Sequence, residues 1–155
     1  MSAFGASDVI RKTISVRCDL NTAFRIWTEQ IDSWWPKSHS RSGSPSSAVV
    51  LECRLGGRIY ERTPEGAEYP WGAITIWEPP GHFAYHWYLG SGVDRPTRVD
   101  VHFSAEGNDH TRVDILHQGP ELIGDIWPRN SAIYDAAWER VLPAFIALSE
   151  EEHGE

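Results

Sequence analysis

The chain has 155 residues, of which 41% are hydrophobic and 23% charged, with a net charge of −8 and a pI near 5.3. That size and composition suit one globular domain with its own core and suggest neither disorder nor a membrane protein. Lys and Arg are scattered, 14 against 22 acidic residues, and leave no footprint for a nucleic-acid partner.

No apolar run approaches the roughly 20 residues that span a bilayer, so no membrane partner and a cytoplasmic location are expected. Cys18 and Cys53 stand far apart without a C-x-x-C and read as small buried hydrophobes. Eight Trp, with five Tyr and five Phe, supply either a ring-lined pocket or a dense aromatic core.

In chain order, residues 9–17 alternate apolar and polar side chains as a half-buried strand does, with Lys12 as the misfit on the apolar face. Asp19 is placed to cap a helix whose apolar stripe runs Leu20, Phe24, Trp27, Ile31 and Trp34 until Pro36 stops it. A break near Gln30 would divide it in two. The Ser-rich stretch 37–47 predicts a surface loop. Six strand-like runs follow, at 48–55, 58–63, 69–78, 82–89, 97–105 and 111–118. Turn chemistry separates them, including Gly56-Gly57, Pro79-Pro80-Gly81 and Gly107-Asn108-Asp109. Short connections make them a meander, which the opening strand joins at one edge. A last helix, capped by Asn130 or Ser131, runs to about 149 with the stripe Tyr134, Trp138, Val141, Phe145 and Leu148, and Pro143 predicts a kink. Residues 1–7 and 150–155 are expected to fray, and 1–155 to form one domain. The resulting class is α+β, a strongly curved seven-stranded antiparallel sheet wrapped around the long C-terminal helix.

Trp34-Trp35-Pro36, Gly56-Gly57-Arg58-Ile59-Tyr60-Glu61, Trp71-Gly72, Trp77-Glu78-Pro79-Pro80 and Thr111-Arg112-Val113 leading to His117 occur in an order that resembles the START-like or SRPBCC superfamily. Within it the chain is most similar to bacterial relatives of the C-terminal domain of the Hsp90 ATPase activator. The resemblance implies a helix-grip fold with a pocket between sheet and helix. The superfamily uses that pocket to hold lipids, sterols, hormones or polyketides, and some branches carry out cyclase or hydroxylase chemistry in it.

Alternation sorts the candidate site residues. His117 shares a face with Val113 and Ile115, which puts it on the inner side as a ligand contact or general base. The competing reading is a structural histidine bonded to a backbone carbonyl. Phe83, Tyr85 and Trp87 form the larger ring set of their strand and the natural inner face, and a buried Tyr85 phenol wants a partner. Trp71 and Trp77 share a face opposite Gly72, Ile74 and Ile76. A two-residue hairpin at Gly56-Gly57 would pair Glu52 with Glu61 outside, whereas a bulge there would turn Glu61 inward as a general-base candidate. His82 and His86, four apart on a strand, are separated by about 13 Å and read as solvent-facing rather than metal-binding. No phosphate loop, G-x-S-x-G, H-E-x-x-H or Cys/His cluster is present, so neither metal nor cofactor is expected.

The first expectation for function is a pocket for a small hydrophobic or aromatic molecule, lined by Tyr60, Trp71, Tyr85, Trp87, His117 and Trp138. The alternatives are a cofactor-independent cyclase, dehydratase or hydrolase pairing His117 with Glu61, and a protein-interaction module like the chaperone activator. An uncovered edge strand also invites homodimer pairing.

Overall fold

The computed structural model describes residues 9–36, 46–88, 96–119 and 127–153, with side chains described over 131–151 of the last segment. In chain order the elements are β1 (Val9–Val16), α1 (Leu20–Thr28), α2 (Ile31–Trp34), β2 (Ala48–Leu51), β3 (Arg58–Arg62), β4 (Glu68–Glu78), β5 (His82–Trp87), β6 (Thr97–Glu106), β7 (His110–Gln118) and α3 (Trp127–His153). The strands form one antiparallel sheet in the order β1-β7-β6-β5-β4-β3-β2, so the meander is continuous and β1 closes it beside β7, as the short connections predict.

The helices decide several local alternatives. The first helix does break, at Gln30, and Asp19 occupies its cap position without a side-chain bond. The final helix begins at Trp127, before the expected caps Asn130 and Ser131, and continues unbroken through Pro143 to His153. Pro143 and Glu139 are exposed, so the carbonyl that the proline leaves unbonded meets water. Glu150 accepts a hydrogen bond from the Arg17 backbone N–H at 3.4 Å, which ties the last turns to the end of β1. The Ser-rich loop lies outside the described residues except for Ser46 and Ser47.

One face of the sheet is apolar and is covered by α1, α2 and α3. Phe24 of α1 touches Trp77, Phe83 and Phe103 at centroid distances of 5.3, 5.7 and 5.1 Å. Trp27 touches Trp34, Phe145 and Trp138 at 5.1, 4.8 and 6.2 Å. Each such pair adds about 0.5–1.5 kcal/mol beyond the area it buries. Lys12, the misfit, reaches from β1 to Asp135 and Glu139 of α3 at 2.8 and 2.7 Å. A cation on an apolar face thereby becomes a clamp between sheet edge and helix, its alkyl stem lying along the apolar surface. At the other edge, the Val49 N–H donates to the Asp32 carboxylate of α2 at 2.8 Å, which covers part of the edge of β2.

Strand β4 carries two register shifts, at Trp71 against Ile59/Tyr60 and at Thr75 between Ile74 and Ile76. Each extra residue changes the pleat phase. Trp71, Gly72, Ile74 and Trp77 consequently all serve the inner face, whereas unbroken alternation separates Trp71 and Trp77 from Gly72 and Ile74. Gly72 sits so close to β5 that a β-carbon there would collide with the His86 carbonyl oxygen.

Two stability outcomes follow. Phe145→Ala, which empties the fully buried contact with Trp27 and Trp34, should cost about 3–5 kcal/mol in urea denaturation. Gly72→Ala should also destabilise, because β4 and β5 must part to admit one methyl group; unchanged urea midpoints would contradict both.

Candidate functional site

The sheet interior ends, toward Trp35 at the C-terminal end of α2 and Trp87 of β5, in a cluster of three indoles. Trp35, Trp71 and Trp87 lie 5.6 to 5.7 Å from one another, and Tyr85 is 5.7 Å from Trp87. Trp71 is fully buried, while Trp35 and Trp87 keep 7% and 8% of their surface accessible. The first bulge of β4 is what turns Trp71 into this group.

Glu61 belongs to the same end. β2 and β3 pair Val49 with Glu61 and Leu51 with Ile59, so the connection spans Glu52 to Gly57 and is not the two-residue hairpin that would pair Glu52 with Glu61. The open alternative is thereby decided by register: Glu61 faces inward and is fully buried. The Trp71 indole N–H donates to its Oε1 at 3.2 Å. Tyr60, the neighbouring residue, therefore points to the opposite face. There the Arg58 guanidinium lies 4.3 Å over its ring and Arg62 donates to its hydroxyl at 3.0 Å. A shallow cavity of about 350 Å³ on that outer side is lined in part by Tyr60, Pro70 and Tyr88. Tyr60 as a wall of the interior is thus a correction, and its cause is the pleat.

His117 is buried on the inner face, but its ring is engaged. The Trp138 indole N–H donates to Nδ1 at 3.0 Å, and Nε2 lies 2.8 Å from Thr97 Oγ1. An indole nitrogen only donates, so Nδ1 is the unprotonated nitrogen and Nε2 carries the proton, which goes to Thr97. The Thr97 hydroxyl then donates to the Trp87 carbonyl at 3.4 Å. Tyr134 covers the imidazole at 4.5 Å. Burial alone holds the pKa of His117 down to about 3. The ring is a neutral cross-link between β6, β7 and α3, poorly suited to accept a proton. A hydroxyl and an indole meet its two nitrogens.

Tyr85 differs. Its side chain is 3% exposed and burial pushes its pKa up, yet its hydroxyl makes no hydrogen bond among the described residues. Among sealed side-chain polar atoms of the described residues only Ser149 Oγ lacks a partner, so the Tyr85 hydroxyl still borders accessible space. Of the residues expected in the site, the structure groups Trp71, Tyr85 and Trp87, with His117 and Trp138 as a bonded pair behind Thr97. Thr97 was not singled out by sequence reasoning, whereas the adjacent Trp34 and Trp35 at the end of the helical segment are expected to set one ring in the core and the other near the pocket mouth.

A pH effect follows from His117. Its folded pKa lies below the value of about 6.5 it takes when unfolded, so the unfolded chain binds the extra proton between those values. Its contribution is complete above pH 6.5 and declines as pH falls toward 3, by at most about 1.4 kcal/mol per unit. His117→Gln, which retains one acceptor and one donor, should flatten the stability profile between pH 6.5 and 5, measured by urea denaturation at each pH; an unaltered slope would contradict the assignment.

No family model matches the chain, and no curated protein matches it. Solved structures do. CalC from Micromonospora echinospora, a self-sacrificing resistance protein, is 27% identical over 93% of this chain and 95% of its own, with a TM-score of 0.71. Txn09, an anthrahydroquino-gamma-pyrone synthase complexed with SUM, is 29% identical over 77% of this chain and 81% of its own, with a TM-score of 0.57. DynU16, from the dynemicin biosynthetic locus, shares the fold at 14% identity and a TM-score of 0.66, with 92% of this chain matching 47% of that one. The curved seven-stranded sheet gripping α3, the motifs from Trp34 to His117 and these likenesses agree: the chain is a helix-grip protein of the START-like superfamily.

Proposed function

We propose that the protein binds a small hydrophobic or aromatic molecule at the Trp35–Trp71–Trp87 end of the sheet interior. The observation that carries this reading is the Tyr85 hydroxyl, lodged among rings and without a hydrogen-bond partner among the described residues. A phenol in apolar surroundings costs free energy unless something accepts or donates to it, and a ligand oxygen beside stacked indoles meets that need. Glu61, held by Trp71, is a second polar group on the same wall. The likeness to Txn09, an anthrahydroquino-gamma-pyrone synthase complexed with SUM, supports the reading. His117 and Trp138 act in it as supports that orient Trp87 through Thr97.

Titration of the protein with 1,8-dihydroxyanthraquinone should quench tryptophan fluorescence saturably. Tyr85→Phe should weaken binding about tenfold, the worth of one hydrogen bond in a dry site, without lowering thermal stability. Native mass spectrometry of freshly purified protein should also retain a small molecule. Unsaturable quenching over a series of aromatic probes, together with a bare chain in the mass spectrum, would overturn the reading.

Glu61 supports a second reading, a cofactor-independent enzyme of the cyclase, dehydratase or hydrolase type, because a fully buried inward carboxyl is a candidate proton acceptor. The pairing with His117 falls away, since both ring nitrogens are engaged. Glu61→Gln keeps an oxygen for Trp71. It should leave ligand binding intact while lowering turnover about 100-fold or more; equal turnover in the variant would remove Glu61 as the proton acceptor, and no turnover by the unaltered chain would leave binding as the whole function. The interaction-module reading gains little from the exposed large apolar side chains among the described residues, because Leu55 stands on the β2–β3 connection and Ile133 on α3.

A further inference from the structure

The outer face of the sheet carries a cluster that no motif announced. β5 and β6 pair so that His82 stands directly opposite His102, and Asp100 precedes His102 on the same face. One imidazole nitrogen of each histidine and a carboxylate oxygen of Asp100 lie within 4.8 Å of one another. His82 Nε2 is 2.9 Å from Asp100 Oδ1, and His82 Nδ1 is 3.3 Å from Glu78 Oε1. Asp100 is 5% exposed, and Arg98 grips it from the far side through Nε to Oδ2 at 2.9 Å and Nη2 to Oδ1 at 3.2 Å.

Two imidazoles and one carboxylate form the donor set that suits zinc and its first-row neighbours. With metal–ligand bonds of about 2.0–2.2 Å, adjacent donors in a tetrahedral shell stand about 3.3–3.6 Å apart, and His82 Nε2 and Asp100 Oδ1, at 2.9 Å, need part only slightly to reach that spacing. A metal at Nε2 requires the tautomer with its proton on Nδ1, and that N–H would donate to Glu78, the carboxylate–histidine arrangement that fixes a ligand's orientation. Arg98 Nε can keep Oδ2 while Oδ1 binds. The imidazoles are stacked at 4.0 Å and 8°, so their lone pairs run side by side and do not converge. His102 must therefore swing about its outer side-chain torsion, which is soft. Register-locked central strands need not move.

We propose that His82, Asp100 and His102 bind a divalent first-row transition ion, with zinc as the reference, with Glu78 orienting His82 and water completing the shell. The site is separate from the ring cluster and independent of its function. Calorimetric titration of chelator-treated full chain with zinc chloride should give one equivalent. His82→Ala and His102→Ala should each weaken binding at least tenfold, and His86→Ala, on the same face, should leave it unchanged. Imidazole nitrogen NMR of the wild-type chain provides a readout that needs no variant: zinc should shift His82 and His102 and leave His110 and His117 in place. Saturation only above about 100 µM zinc, equivalent to weaker than roughly 5.5 kcal/mol, would overturn the proposal. So would binding unaffected by both alanine variants, or shifts confined to other histidines.

Discussion

Strand β4 does not hold a single pleat phase, and most of what the interior can do depends on that. A regular strand of this length presents alternate residues to each side. The extra residues at Trp71 and Thr75 let Trp71, Gly72, Ile74 and Trp77 all work inward. Trp71 thereby meets Trp35, Trp87 and the Glu61 carboxyl, and Gly72 permits the close approach of the His86 carbonyl that keeps β4 and β5 paired across the distortion. Without the bulges the inner face would lose a wall and Glu61 its indole donor.

The buried polar groups then divide by what they still require. His117 is closed: one nitrogen receives the Trp138 proton, the other gives its own to Thr97, and desolvation keeps the ring neutral. That arrangement costs little to keep because each donor has an acceptor, and it welds the final helix to two central strands. The Tyr85 hydroxyl has no such partner among the described residues, although its ring is just as deeply placed. A fold that satisfies one buried polar group so fully and leaves its neighbour open distinguishes a structural joint from a contact surface, and the open group stands among the indoles.

The two sides of the sheet solve different problems. Inside, three helices and interlocking rings exclude water. Outside, charged side chains pair along and across the strands, with Arg58 and Arg62 on Glu68, Arg98 on Asp100, and Arg112 on Asp114. Exposed pairs of this kind add little stability each. Their consequence is local: they hold side chains in fixed positions, and at Asp100 the fixed carboxylate stands beside two facing imidazoles.

The sequence by itself determined the kinds of elements and their order, because helical and pleated periodicities are written in residues three, four or two apart. The inner sets Phe83/Tyr85/Trp87, Val99/Val101/Phe103 and Val113/Ile115/His117 were legible for the same reason. Tertiary structure alone decided three matters. Strand register turned Glu61 inward and Tyr60 outward and set His82 against His102, and register depends on hydrogen bonds to a strand elsewhere in the chain. The bulges reassigned half of β4, since a single extra residue leaves no mark on composition. The fate of each buried proton, closed at His117 and open at Tyr85, depended on donors and acceptors brought from β6 and α3, whose distance in sequence hides their nearness in space.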